Sequence, residues 1–172
     1  MLQGHKIALG PVLPADFDTL LRWADDPQLA GYSEAYRPPL WRQQEDFWFA
    51  RSQDAARLAF AMRHSAQSPI LGYVLFWHID AIHRSALLGM LIGDPARRGQ
   101  GYGEDALRLS IAYAWQHLNL RRLTLHVFAS NTRALRLYER CGFIREGHLR
   151  QAVYIAGRYE DVVLMGMLRE EL

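Results

Sequence analysis

The sequence predicts a single domain of α+β class: a mixed, mostly antiparallel sheet with one parallel βαβ crossover and helices on both faces. Three observations carry this. Short apolar runs at 58–62, 70–77 and 85–92 follow one another with turn-like residues between them, as in an antiparallel meander. A glycine-rich turn and a helix then lead to a further strand at 123–128, and a helical crossover makes that strand parallel to the one ending at Ile92. Residues 14–23, ahead of the meander, place their apolar side chains at helical spacing.

In order, residues 7–9 form a short strand closed by Gly10-Pro11. Residues 14–23 read as a helix, with Pro14, Asp16 and Asp18 at its start and Phe17, Leu20, Leu21 and Trp23 as its apolar stripe. Asp25-Asp26-Pro27 stops it, and residues 28–39 are irregular, carrying Tyr32, Glu34 and Tyr36 before Pro38-Pro39. A second helix, 41–52, sets Phe47 and Trp48 on one side. This acidic, aromatic quarter is suited to wall a binding cleft. After the meander, the helix 103–117 is apolar almost all round and is expected to be buried against the sheet. Ser130-Asn131-Thr132 caps a helix that runs to Arg140 and stops at Gly142, and strands 143–154 and 158–168 meet across residues 155–157. Repeats, low-complexity tracts and linkers are absent, so residues 1–172 are expected to form one domain.

Composition narrows the function. Formal charge is +2, but it is unevenly spread. Between residues 97 and 140, Arg97, Arg98, Arg108, Arg121, Arg122, Arg133, Arg136 and Arg140 stand against Glu104, Asp105 and Glu139. A local positive field of this size suits a small polyphosphate ligand and falls short of the dense basic face of a nucleic-acid binder. Cys141 is the only cysteine, which excludes an intrachain disulfide and a cysteine-based zinc site. His5, His64, His83, His117 and His148 show no metal-ligand pairing, and no metal is expected. No apolar run approaches the ~20 residues of a membrane span, and the start of the chain lacks an apolar targeting segment; a cytoplasmic protein is expected.

The richest stretch is 94–106, Asp-Pro-Ala-Arg-Arg-Gly-Gln-Gly-Tyr-Gly-Glu-Asp-Ala, at a strand-to-helix turn. Gly99, Gly101 and Gly103 let backbone approach a ligand, the first turn of the helix offers unpaired N–H groups at its positive end, and Arg97 and Arg98 add charge. An anion, above all a phosphate, is the expected guest. Glu104 and Asp105 would repel it and are expected to point away.

Arg98-Gly99-Gln100-Gly101-Tyr102-Gly103 resembles the acyl-CoA-binding signature of the GNAT superfamily of N-acetyltransferases. Residues 127–143, with Asn131, Ala134, Leu137-Tyr138 and Gly142-Phe143, are similar to that superfamily's second hallmark. The tail, with Glu146-Gly147, Arg150, Gly157, Tyr159 and Asp161, resembles the branch of ribosomal-protein alanine and spermidine acetyltransferases. The resemblance covers most of the chain and is strongest over 86–165.

It implies a GNAT-like fold and direct acetyl transfer from acetyl-CoA to a primary amine, either a protein N-terminus, a polyamine or another small amine. It also implies that Met90, Leu91 and Ile92 run beside the pantetheine, where a main-chain N–H polarises the thioester carbonyl. The diphosphate is implied to rest on the backbone of Arg98, Gly99, Gln100, Gly101, Tyr102 and Gly103, with Arg97 nearby. Asn131 would bond the pantetheine arm and Tyr138 would act as general acid near the sulfur. Many relatives carry a glutamate on the strand before the signature, but residues 85–89 offer no acid. Glu34, His78, His126 or a water are the alternatives for the base. Homodimers, common among relatives, are a further expectation. Two other readings compete: Gly101, Gly103 and Ala106 also fit a dinucleotide-binding fingerprint, and a non-catalytic acyl-CoA sensor would use the same cradle.

Overall fold

The computed structural model describes residues 1–30, 37–40, 43, 46–48 and 55–171. Its strands are β1 (Leu2–Gln3), β2 (Ala8–Gly10), β3 (Arg57–Arg63), β4 (Gly72–Asp80), β5 (Ser85–Ile92), β6 (Arg122–Phe128), β7 (Ile144–Ile155) and β8 (Arg158–Leu168). They form one sheet in the order β1-β2-β3-β4-β5-β6-β8-β7. Every described pairing is antiparallel except β5 with β6, as the crossover requires. This is not the doubly wound parallel sheet of a dinucleotide-binding domain.

The helices are α1 (Phe17–Ala24), α2 (Pro27–Ala30), α3 (Tyr102–Gln116) and α4 (Thr132–Arg140). Leu107, Ile111 and Ala114 of α3, with Leu135 and Tyr138 of α4, bury one sheet face together with Val74, Phe76, Leu123, Leu125 and Met165. Leu20 and Trp23 of α1 pack on the other face with Ala61, Ile70 and Tyr73. α1 is anchored by a buried ion pair. Asp16, in the 3-10 turn that precedes the helix, bonds the Arg63 guanidinium of β3 and the N–H of Leu13.

Several expectations need correction. β1 was not anticipated: two residues hold too little pattern to register, yet Leu2 pairs with Leu9. Pro27 does not merely end a helix. It opens α2, where Asp26 accepts the N–H of Gln28, because a proline at the first helical position loses no hydrogen bond. α3 is two-faced rather than buried all round; Arg108 and Gln116 are exposed. Of the helix expected at 41–52, residue 43 and residues 46–48 are described and helical, and the rest lies outside the described residues.

Candidate active site

Residues 93–105 fold as they do because each part is fixed locally. Asp94 accepts the N–H of Ala96 and starts a 3-10 turn, Pro95–Arg97. Gly99 and Gly101 then take φ of 82° and 85°, values that side chains disfavour, and Gly101 opens α3. The first intrahelical bond runs from the Asp105 N–H to the Gly101 carbonyl, so the N–H groups of Tyr102, Gly103 and Glu104 begin the helix without intrahelical partners.

Two motif residues do work the sequence did not assign them. The Arg98 guanidinium donates to the Ile92 carbonyl at 3.2 and 3.1 Å, and its backbone N–H is taken by the Pro95 carbonyl. The Gln100 side chain donates to the Ala96 carbonyl at 2.8 Å. Arg98 braces the turn against the end of β5, Gln100 closes the turn on itself, and the Arg98 N–H is already engaged by the Pro95 carbonyl. Gly103 is buried, and a side chain there would begin in ordinary contact with Leu137, Met90 and Ile92 at 3.4–3.6 Å, on the face of α3 turned to β5.

Among the described residues, three further cations lie at the turn. Arg97 is half exposed and 3.9 Å from Asp94. Arg133 of α4 brings a guanidinium nitrogen to 3.5 Å from where a side chain on Gly99 would begin. Lys6 brings its Nζ to 2.8 Å from the Gln100 carbonyl. Sequence reasoning missed Arg133 and Lys6. Of the two turn-flanking acids, Asp105 is buried and accepts the N–H groups of His5, Lys6 and Ile7, while Glu104 pairs with Arg108.

β5 and β6 part company beyond this turn. Their register runs only over Ser85 with Arg122, Ala86 with Leu123 and Leu87 with Thr124. The rest of β5, including Met90, Leu91 and Ile92, therefore presents main-chain groups to a gap that opens toward the C-terminal ends of both strands. Met90 and Ile92 point toward α3, and Leu91, opposite Tyr73, points to the other face. A side chain at Gly89 would begin 2.5 Å from the Trp77 ring, so the indole closes the strand segment in which the sequence offers no acid.

α4 supplies the far wall. Asn131 caps it by accepting the Ala134 N–H at 3.1 Å, which leaves its NH2 group to donate. Tyr138 is 8% exposed and packs edge-on to Phe143. Burial pushes its phenol up to about 12, with a smaller contribution from Cys141, so the group holds its proton throughout the neutral range. Cys141 is buried, and burial raises its thiol too.

At the β6 end of the gap lies a cavity of about 490 Å³ walled by Pro27 and Gln28 of α2, Phe128 of β6, and Ile155, Arg158 and Glu160 of the β7–β8 hairpin. The Glu160 side chain is only 12% exposed and pairs at 3.0 Å with Arg158, whose side chain is 70% exposed. Glu160 was not singled out in the sequence; the acid is legible there, but nothing local shows that α2 and Phe128 would close around it. A second depression, of about 410 Å³, is lined by Arg150, Gln151 and Asp161. Neighbouring strand residues point to opposite faces, so Asp161 looks away from Glu160.

The candidate bases separate. His126 is exposed on β6, two residues beyond the last β5–β6 pair, and shares a face with Phe128. His78 sits in a bulge at φ 52°, beside Trp77, which pairs with Leu87 where β5 and β6 are still joined; this places it away from the gap. Glu34 lies outside the described residues. Among the described residues, no group of three or more His, Cys, Asp or Glu side chains converges as a metal site, and no helix is long and apolar enough to cross a membrane.

Comparison with known proteins bears on this geometry. The acetyltransferase (GNAT) domain family matches residues 6–144. The chain belongs to the GNAT family. A spermidine N(1)-acetyltransferase of Vibrio cholerae is 35% identical over 127 residues, spanning 74% of this chain and 72% of the relative. A ribosomal-protein-serine acetyltransferase of Escherichia coli is 31% identical over 98 residues, 57% of this chain and 54% of that protein. The crystal structure of spermidine N-acetyltransferase from Vibrio cholerae in complex with CoA and spermine superimposes with a TM-score of 0.89 at 29% identity, covering 96% of this chain and 97% of the other. This GNAT protein is an acetyl-CoA-dependent N-acetyltransferase that acetylates a primary amine. The oxidoreductase and the silent-sensor readings are thereby set aside.

Proposed function

We propose that the acceptor is an aliphatic polyamine of the spermidine class, held in the cavity between α2 and the β7–β8 hairpin. The observation that carries this is Glu160: a largely buried carboxylate at the mouth of the strand gap needs a cationic partner, and an acceptor ammonium can replace the exposed Arg158 guanidinium there. Phe128 and Ile155 give the methylene chain apolar walls. The likeness to spermidine acetyltransferases points the same way.

In the proposed reaction, the N–H groups at the start of α3 and Arg97 receive the diphosphate, while β5 main chain and the Asn131 amide line the pantetheine. His126 takes a proton from the incoming ammonium, freeing the nitrogen lone pair to attack the acetyl carbon. A β5 N–H holds the oxyanion. The bonded nitrogen gives its second proton to solvent water as the C–S bond breaks and the amide forms, and the leaving thiolate takes the Tyr138 phenol proton, which the medium restores. A cytoplasmic setting suits both acetyl-CoA and the unpaired Cys141. Self-association would use the edge strand β7, where Ile144 and Leu149 are exposed; a single-copy mass in light scattering would refute that part.

The deciding experiment is turnover of acetyl-CoA with spermidine, spermine, a monoamine of similar length, and peptides with free N-termini. Spermidine and spermine are expected to give the highest kcat/KM, and Glu160→Gln to raise their KM while sparing that for acetyl-CoA. Faster acetylation of a peptide N-terminus would overturn the polyamine assignment.

A further inference from the structure

The N-terminal segment reaches the glycine turn from the far end of the chain, and its approach is tightly fixed. Residues 4–7 form a turn closed by the Gly4 N–H on the Ile7 carbonyl at 2.8 Å. Inside it sits the Asp105 carboxylate, which accepts the N–H groups of His5 at 3.1 Å, Lys6 at 2.7 Å and Ile7 at 3.0 Å. A side chain at Gly4 would begin 2.5 Å from that carboxylate, so the wrap is as close as backbone allows. His64 contacts the Lys6 carbonyl at 3.3 Å and stacks edge-on with Tyr102, fixing the segment from the sheet side.

The product of this anchoring is the position of one ammonium. Lys6 Nζ lies 2.8 Å from the Gln100 carbonyl and 2.7 Å from the point where a side chain on Gly101 would start. The carbonyl takes one of its three N–H donors, and no carboxylate among the described residues pairs with it. The side chain is exposed, so the remaining donors face solvent over the turn.

We propose that Lys6 is a cofactor-binding residue, donating to a phosphate oxygen of acetyl-CoA at the glycine turn. This rests on the reading that the turn holds the cofactor's phosphates. It adds to that reading a donor from outside the motif, 94 residues away in sequence. Asp105, conversely, acts as a positioning residue: it never meets the phosphate, but it fixes the backbone from which Lys6 extends. Lys6 is held by hydrogen bonds before any ligand arrives, so little ordering is left to be done on binding.

Calorimetry on the full chain tests this. Lys6→Ala is expected to weaken CoA about tenfold at low salt and to lose most of that penalty in concentrated salt; Lys6→Arg is expected to recover most of the affinity. Dephospho-CoA locates the contact: a penalty that persists assigns Lys6 to the diphosphate, and one that vanishes assigns it to the 3′-phosphate. If Lys6→Ala binds CoA like the parent while Gly101→Ala is weakened, Lys6 only braces the turn and the inference fails alone. If neither variant is weakened, the phosphate cradle fails with it. A loss that Lys6→Arg does not recover and salt does not diminish also overturns the inference.

Discussion

The Asp105 carboxylate accepts the backbone N–H of Lys6 at 2.7 Å, joining residues 99 positions apart. Asp105→Ala would leave three backbone donors without their acceptor. We expect unfolding free energy to fall by about 2–4 kcal/mol, with a higher KM for acetyl-CoA and an unchanged KM for the amine. Burial pushes this carboxyl up, but the N–H groups of Lys6, His5 and Ile7 and the nearby His5 outweigh it, and the net shift is downward from 3.8. A lowered folded-state value means that the stabilisation is fully present above the ordinary value of 3.8 and is lost as pH falls below it, through the lower folded-state value. Urea unfolding between pH 3 and 6 should show the parent losing more stability on acidification than Asp105→Asn.

Tyr138→Phe should cut kcat by about a hundredfold and leave the affinity for CoA nearly intact, measured by steady-state kinetics beside calorimetry. An unchanged rate removes Tyr138 from the reaction. Its phenol is pushed up to about 12, so any basic limb of the rate profile near pH 8–9 belongs to another group. The raised value also makes Tyr138 a source of stability below pH 10 that is lost as pH rises toward 12, and the phenylalanine variant should show less alkaline unfolding.

Gly89→Ala should destabilise by about 1–3 kcal/mol, because the new methyl group would meet the Trp77 ring. The cost should shrink when Trp77 is replaced by Leu. Additive penalties in a double-mutant cycle would show that the two residues do not share the space.

Asp16→Ala should cost about 3–5 kcal/mol in chemical denaturation, since it leaves the buried Arg63 guanidinium unpaired. Asp16→Leu combined with Arg63→Met should cost less than either single change. α1 would keep its apolar contacts but lose its charged anchor.

Local signals made most of the fold legible. Alternating runs separated by turn residues gave the meander, and the glycine turn ahead of a helix gave the crossover and the parallel β6. What stayed hidden depends on where distant segments meet. Lys6 looks like an ordinary surface lysine until Asp105 gathers residues 5–7, and Glu160 looks like any strand acid until α2 and Phe128 close over it. His78 and His126 are indistinguishable as residue types. The three-pair register of β5 with β6 is what puts one beside the gap and the other at its closed end. The side-chain partners of Arg98 and Gln100 were not legible for a related reason: a motif names residues, whereas the carbonyls of Ile92 and Ala96, exposed by the turn itself, decide where those side chains go.

The short register between β5 and β6 leaves the sheet unfinished, and in the proposed reading the pantetheine arm finishes it. Cofactor loading would therefore behave like the addition of a short ninth strand, slowing hydrogen exchange at amides along 88–92 more than elsewhere. With cofactor at a hundred times its Kd, mass action alone would raise the unfolding free energy by about 2.7 kcal/mol, so the loaded enzyme should outlast the empty one under heat or protease.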